Sequence, residues 1–424
     1  MISPIAGHRS SQMRRHSSIP IFTMVPRSRR SRSKSWTSMS SKLFSPFKLR
    51  GLELENRIVT SPMMQFSATE NSEATDWHVI HYGTMAISGA GLVITEATSV
   101  RPDAAYNRTG LGLWTDAQEE ALARVIAACR KYSPAKHGLQ LWHSGRKASV
   151  KGLEDGLEEM TLEEGGWRLI APSDAPYPGR TNPITVPTAE MLDEVIEAFC
   201  RSAERAARIG YDLLEIHGAH GYLLHSFLSP ISNLRTDEFG GDITSRMRFP
   251  LKLMKAVRQV WPEDRPLGLR LSATDWVDSG WTVEDSVVFA KALKAIGCDY
   301  VTASSGGSSP QQQIDLGPGY QTRFAAAIRS EAEIPTMAVG QISEPHLAEF
   351  IVANGMADLI AIGRGLVADP RWPWRAAEVL LAKAYCPIQY QKSTPISNRT
   401  NLFRKVTGWD ARHVSLKDKP ASVA

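Results

Sequence analysis

Eight short apolar runs punctuate the chain, and each is followed by a stretch with helical periodicity. The runs lie at 57–61, 91–97, 138–142, 211–217, 266–272, 299–303, 335–339 and 357–362. Amphipathic stretches cover 75–88, 116–131, 188–209, 245–260, 283–296, 320–331, 344–354 and 373–384. In the third of these, Leu192, Val195, Ile196, Phe199 and Ala203 recur at helical spacing behind Thr188, which reads as an N-cap. Strands that are apolar on both faces and alternate with helices form a parallel sheet. Eight such units close into a (β/α)8 TIM barrel, a fold that takes about 250 residues and more with insertions.

Three features decorate that frame. Residues 47–57 alternate apolar and polar around Gly51, which predicts an N-terminal hairpin cap. Residues 144–187, rich in Gly, Pro and Glu, follow the third strand and are too long for an ordinary connection, so they read as an insertion forming a lid or substrate wall. Residues 1–42 hold nine Lys/Arg, twelve Ser and no acid, a composition that cannot bury a core. The expected organisation is a disordered basic extension over 1–42, a barrel domain over 43–390 and a C-terminal tail over 391–424.

Charge and cysteine usage narrow the function classes. The formal net charge of +5 belongs to the first 42 residues, and the rest carries a net −4, so the globule gives no electrostatic reason to bind nucleic acid. No run approaches the roughly 18 consecutive apolar residues of a membrane span. The four cysteines are far apart and never in C-x-x-C, which argues against both a disulfide framework and a metal site. A cytoplasmic location follows, or a mitochondrial one if residues 1–42 are a transit peptide.

In such a barrel the active site lies at the C-terminal ends of the strands. There the chain places Ser61-Pro62-Met63-Met64-Gln65-Phe66, then Glu96-Ala97-Thr98, then Gln140 ahead of Trp142-His143. The fourth strand ends in His217-Gly-Ala-His220-Gly-Tyr222, where two imidazoles and a phenol can grip an oxygen and transfer a proton. A polar turn with a satisfied histidine is the plainer alternative. The seventh and eighth strands end in Gly340 and in Gly363-Arg364. Those glycines let backbone N–H groups approach a phosphate, an adjacent helix N-terminus attracts it, and Arg364 adds a bidentate clamp. Alternation on the fifth strand turns Gly268, Arg270 and Ser272 away from Leu267, Leu269 and Leu271. Arg270 thus points to the axis and needs an anionic partner, either Glu215 or a ligand. No G-x-G-x-x-G is present, which speaks against a separate dinucleotide-binding domain.

Taken together these blocks resemble the Old Yellow Enzyme family of FMN-dependent ene-reductases, in its thermophilic-like, xenobiotic reductase subclass. The resemblance runs from about Leu43 to Tyr390. It rests on Asn56-Arg57-Ile58-Val59 with Ser61-Pro62-Met63, on Glu96-Ala97-Thr98, on Gln140-Leu141 with His143 and Gly145-Arg146-Lys147, on the fourth-strand block, and on Arg270, Ser272 and Ile362-Gly363-Arg364. It implies FMN, with Gly340, Gly363 and Arg364 at its phosphate, Gln140 at the pyrimidine edge and Arg270 near N1/O2. Pro62, Met63, Met64 and Ala97 would lie against the ring system. It also implies NADPH or NADH as co-substrate, stacked directly on the flavin. The implied reaction reduces the C=C bond of an α,β-unsaturated carbonyl. His217 and His220 hold the carbonyl oxygen, hydride passes from flavin N5 to Cβ, and Tyr222 protonates Cα. A homo-oligomer, dimer or tetramer, is implied as well.

Two positions depart from the subclass. Met64 stands where a flavin-tuning Cys is usual, and a thioether neither donates a hydrogen bond nor forms a thiolate. Phe66 stands in the substrate pocket where a second phenol is usual, which leaves carbonyl activation to the two histidines. Lys392 replaces an Arg that in the subclass reaches a neighbouring subunit. A flavin-dependent redox isomerase or oxidase, and a flavin-free phosphate-binding lyase, are the competing readings. For a 2′-phosphate on the nicotinamide cofactor the candidates are Arg146, Lys147 and Arg323.

Overall fold

A computed structural model describes residues 40–393. The eight apolar runs are eight parallel strands: β1 Ile58–Thr60, β2 Leu92–Ser99, β3 Lys136–Trp142, β4 Leu213–Gly218, β5 Leu267–Ser272, β6 Tyr300–Ser304, β7 Thr336–Ala338 and β8 Leu359–Ile362. They close into one barrel in the order β6-β7-β8-β1-β2-β3-β4-β5, the (β/α)8 architecture expected from the pattern. The expectations for most of the basic extension and the C-terminal tail fall on 1–39 and 394–424, outside the described residues. Residues just inside the near edge are held: Glu349 accepts from Ser41 Oγ (2.6 Å) and from the N–H groups of Lys42 (2.7 Å) and Leu43 (2.9 Å).

Ten helices surround the strands among the described residues: α1 Asp76–Ala86, α2 Asp116–Tyr132, α3 Ala189–Ile209, α4 Leu223–Leu228, α5 Ile243–Val260, α6 Val283–Ala295, α7 Thr322–Ala332, α8 Pro345–Ala353, α9 Arg364–Ala368 and α10 Trp372–Val379. Thr188 caps α3 as its sequence suggests, accepting from Met191 N–H. Asp242 caps α5 through Ser245 N–H (2.8 Å), so that helix begins two residues before the expected 245. Helix α10 stops at Val379 rather than running to 384, because Leu381 turns left-handed (φ 53°) and is exposed, with no core to cover. The short α4 and α9 were not expected; at six and five residues neither is long enough to show a periodicity.

Apolar side chains segregate into two cores. Leu267, Leu269 and Leu271 of β5 join the large core between strands and helices, which sends Arg270 and Ser272 inward. The hairpin Phe47–Leu49/Leu52–Leu54 closes the N-terminal end of the barrel. Its Leu49, Leu52 and Leu54 pack on Leu92, Leu213, Tyr300 and Leu359, the first residues of four strands. Gly51 is required in that hairpin for a reason other than its φ. Its N–H bonds the Asp264 carbonyl (3.0 Å), and a Cβ there would stand 2.5 Å from that oxygen. Strand β2 carries a bulge between Thr95 and Ala97, where its register against β3 shifts. The insertion over 144–187 is ordered, with a 3-10 turn at Gly145–Lys147 and a small parallel pair, Leu169–Ile170 with Ile184–Thr185.

Candidate active site

The open end of the barrel holds a cavity of about 730 Å³. Ser61, Pro62 and Met63 line it after β1, Arg270 on β5, Ser304 and Ser305 at the end of β6, Gly340 after β7, and Gly363 and Arg364 after β8. Ala97 and Gln140 are buried in the adjoining strands β2 and β3. The cavity thus brings together Pro62, Met63, His220, Arg270, Gly340, Gly363 and Arg364; His217 and Tyr222 adjoin it through ring contacts with His220, and Met64, Phe66, Ala97 and Gln140 are not among its lining residues.

Arg270 sits in register with His217 on β4 and Thr302 on β6. It is almost fully buried, and burial pulls its guanidinium below the usual range while the nearby Glu215 favours the charged form. Glu215 is not its hydrogen-bonded partner. The two Glu215 oxygens are taken by Gln140 Nε2 (2.7 Å) and Thr302 Oγ1 (2.6 Å). Arg270 donates through Nη1 to the Ser61 hydroxyl (3.0 Å), and its Nε has no partner among the described residues. A buried guanidinium with an unmet donor, facing a cavity, is a place for an acceptor-rich ligand.

The end of the cavity at Gly340 and Gly363 is a backbone cradle. Gly340 has φ 119°, a conformation open to glycine alone, and a Cβ there would lie 2.8 Å from Gln321 Nε2 and 3.0 Å from the Tyr320 ring. A Cβ on Gly363 would lie 3.2 Å from Met63 Sδ. The helix that follows is the five-residue α9, too short to develop much of a dipole. The attraction expected from a helix N-terminus thus falls to individual N–H groups and to Arg364, which is exposed and has no ion pair among the described residues. Tyr320 and Gln321 also wall this cavity and were not signalled by the sequence, since they reach it from a loop that follows no strand directly. Burial raises the Tyr320 phenol, against the charges of Arg364 and Arg270.

Geometry assigns the proton positions in the fourth-strand block. His217 Nδ1 accepts from the Ala219 N–H (3.1 Å), so a neutral ring must carry its proton on Nε2. Burial, with Arg270 adding to it, pushes the pKa values of His217 and His220 well below the ordinary histidine value, so both rings are neutral. His220 is left-handed (φ 60°), and its Nε2 lies 2.7 Å from Ser304 Oγ. The two imidazoles meet edge to face at 5.1 Å, and Tyr222 meets His217 in the same way at 5.0 Å. The Tyr222 ring also packs edge-on against Trp142 (4.6 Å) and Tyr106 (6.2 Å). Burial raises its phenol above the usual range, helped by Tyr106 and Tyr177 and opposed by Arg270 and Arg180. Behind this block His225 Nδ1 accepts from the Gly221 N–H (2.8 Å), and its Nε2 lies 3.0 Å from Asp275.

The insertion contributes Tyr177 and Arg180, both close enough to act on the Tyr222 phenol, as a wall over the site would be. Phe66 is left-handed (φ 52°) and stands 6.4 Å from the Tyr106 ring, so a phenol still lies close to that position. Met64 points toward Gly110, where its Cε would lie 3.1 Å from a Cβ. Of the three candidates for a cofactor 2′-phosphate, two are engaged with backbone carbonyls and Arg323 is exposed. Arg146 is buried against the Ser308 carbonyl (2.8 Å), Lys147 turns inward, and Arg323 stacks on Trp276 and Phe324.

A family model described as "NADH:flavin oxidoreductase / NADH oxidase family" matches residues 42–382. The chain belongs to that family. It is 42% identical over 355 residues to an NADPH dehydrogenase of Geobacillus sp. (strain WCH70), covering 84% of this chain and 99% of the relative. It is 39% identical to an NADPH dehydrogenase of Bacillus subtilis (strain 168), with the same coverage. Among solved structures, morphinone reductase superposes with a TM-score of 0.67 at 27% identity, covering 82% of this chain and 92% of that one. A 2-naphthoyl-CoA reductase complex gives a TM-score of 0.72 at 25% identity, covering 80% of this chain and 52% of that one. The chain is thus an NAD(P)H:flavin oxidoreductase of the Old Yellow Enzyme type, with FMN as its cofactor. The unmet Arg270 donor and the Gly340 and Gly363 cradle fit that group.

Proposed function

We propose that this enzyme reduces the C=C bond of α,β-unsaturated carbonyl compounds with NAD(P)H. The carrying observation is the pair of neutral imidazoles beside a proton-bearing phenol. His217 offers Nε2–H to a carbonyl oxygen. If the Ser304 hydroxyl donates to His220 Nε2, the second ring offers Nδ1–H to the same oxygen. Two neutral donors draw electron density from a conjugated alkene without protonating it, which prepares its β carbon for hydride. FMN, when bound, supplies the two-electron exchange between the nicotinamide and the alkene. Tyr222 keeps its proton until an enolate-like carbon forms at Cα, then donates it.

Gly340, Gly363 and Arg364 are assigned to the FMN phosphate, Tyr320 and Gln321 to the wall beside it, and Gln140 and Arg270 to the ring edge. Pro62, Met63, Met64 and Ala97 are assigned to the ring faces, with Phe66 on the substrate side. NADPH is the preferred donor on this reading, supported by relatives named NADPH dehydrogenase. A homo-oligomer is part of the same reading, supported by Trp77 and Ile80 on α1 and Tyr132 at the end of α2, large apolar side chains left exposed. So is a reducing compartment such as the cytoplasm, supported by four free cysteines. No helix of the described residues is long and apolar enough to cross a membrane.

The deciding experiment is anaerobic. NADPH bleaches the visible flavin band, and cyclohexenone restores it. Bleaching that dioxygen reverses but no enone does would instead favour an oxidase or isomerase.

A further inference from the structure

Lys147 closes the 3-10 turn after β3 and turns inward. Its ammonium donates to the carbonyls of His220 (3.0 Å) and Gly307 (3.1 Å). It also rests on two aromatic faces, 4.7 Å from the Tyr177 centroid and 5.1 Å from that of Tyr222. No carboxylate pairs with it among the described residues. Burial, with Arg146 and Arg180 nearby, pulls its pKa down to about 8. Desolvating an ammonium without an acid is costly, so the charge has to be offset by what it holds.

What it holds is the backbone that aims one histidine. Both acceptor carbonyls belong to left-handed residues, His220 at φ 60° and Gly307 at φ 89°. For a histidine this conformation is strained and persists only where its surroundings fix it. The two loops touch backbone to backbone. A Cβ on Gly307 would stand 2.5 Å from His220 Cα, and one on Gly221 would stand 2.3 Å from the Gly307 oxygen. Two carbonyl dipoles therefore converge on one side, and an ammonium between them turns repulsion into attraction. On the other side the His220 N–H donates to Ser272 Oγ (2.9 Å), whose hydroxyl donates to the Gly306 carbonyl (2.8 Å). The ring is pinned at Ser304.

We propose that Lys147 is a positioning residue: its ammonium clamps the left-handed His220 to the β6 loop, so that the imidazole is already oriented when a carbonyl oxygen arrives. This rests on reading His217 and His220 as the oxygen grip. The clamp explains why this position takes a half-buried cation rather than an apolar side chain of similar length.

The test compares Lys147→Met and Lys147→Arg as FMN-loaded holoenzymes. The dissociation constant of 4-chlorophenol is read from the change in flavin absorption. Flavin reoxidation is then timed with cyclohexenone and, separately, with dioxygen, which needs no oxygen grip. Lys147→Met is expected to weaken phenol binding about tenfold, the scale of one or two lost hydrogen bonds, and to slow cyclohexenone in proportion while dioxygen reoxidation holds. Lys147→Arg, whose fork serves two carbonyls, is expected to recover most of both. Should Lys147→Met fail to fold, Lys147→Gln, which keeps one of the two bonds, is expected to give an intermediate phenol affinity. Unchanged phenol affinity in Lys147→Met overturns the clamp. So does a parallel loss toward dioxygen that Arg does not repair, since that marks general loosening. A wild-type enzyme that binds the phenol but ignores cyclohexenone retires the enone reading and leaves the clamp to be judged on phenol affinity alone.

Discussion

Replacing Tyr222 by Phe separates chemistry from architecture in this site. The ring makes edge contacts with Trp142 (4.6 Å), His217 (5.0 Å) and Tyr106 (6.2 Å), and Phe keeps all three. The hydroxyl itself makes no hydrogen bond among the described residues. Its removal leaves no buried partner unpaired, so stability is expected to change by no more than about 0.5 kcal/mol. Loss of a general acid costs about 10²- to 10⁴-fold in rate, equivalent to about 2.7–5.4 kcal/mol of transition-state stabilisation. That loss is expected only in the step that consumes the alkene. Stopped-flow absorbance of the flavin measures the two half-reactions apart: NADPH under anaerobic conditions for the first, cyclohexenone added to the bleached enzyme for the second. The first is expected to hold within about twofold, well inside one tenfold step. Equal losses in both would falsify Tyr222 as the proton donor, and a large drop in melting temperature would show that the hydroxyl is structural.

Other outcomes follow from the same geometry. Ser304→Ala removes the hydroxyl that faces His220 Nε2 at 2.7 Å; phenol affinity is expected to fall about fivefold, one neutral hydrogen bond, by spectral titration. Gly340→Ala forces a side chain into φ 119° and against Gln321; at about 1–3 kcal/mol of strain, the protein is expected to lose much of its flavin on dialysis, read as the flavin-to-protein absorbance ratio. Glu96 is buried, bonded to Tyr82 Oη (3.0 Å) and the Gln65 N–H (2.8 Å), and burial pushes it up to about 8. An acid whose folded pKa lies above its unfolded one keeps a proton that the unfolded chain has released, so stability falls as pH rises toward 8. Between about pH 6.5 and 8, where histidines with ordinary values finish titrating alike in both proteins, Glu96→Gln is expected to reduce the decline of melting temperature with pH; an unaltered slope would show that Glu96 is ionised in the folded protein.

The parts of this site that could be read from sequence are those that follow a repeating rule. Strand ends carry chemistry in a barrel, and that rule found His217, His220, Tyr222, Gly340 and Gly363. Alternation found the inward direction of Arg270. The parts that stayed hidden depend on contacts between loops. Ser304 directly follows the apolar run 299–303, but nothing in the sequence marks it as the partner of His220. Tyr320 and Gln321 reach the Gly340 and Gly363 end of the cavity from a turn that follows no strand directly. Lys147 reads from sequence as a candidate for a cofactor 2′-phosphate beside Arg146, because nothing in its neighbourhood announces that two carbonyls from other loops converge on it. The bulge in β2 likewise breaks the two-residue rule at Glu96, a step that only the register against β3 reveals.

The hairpin at the bottom of the barrel has a consequence for ligand traffic. With Leu49, Leu52 and Leu54 seated on the first residues of the strands, the barrel has a floor, and everything that enters or leaves uses the mouth between the strand ends. On the proposed function, nicotinamide and alkene thus share one doorway as well as one destination, and neither can wait behind the other. Steady-state velocities should trace parallel lines in double-reciprocal form, and each ligand in excess should inhibit by occupying the place the other needs.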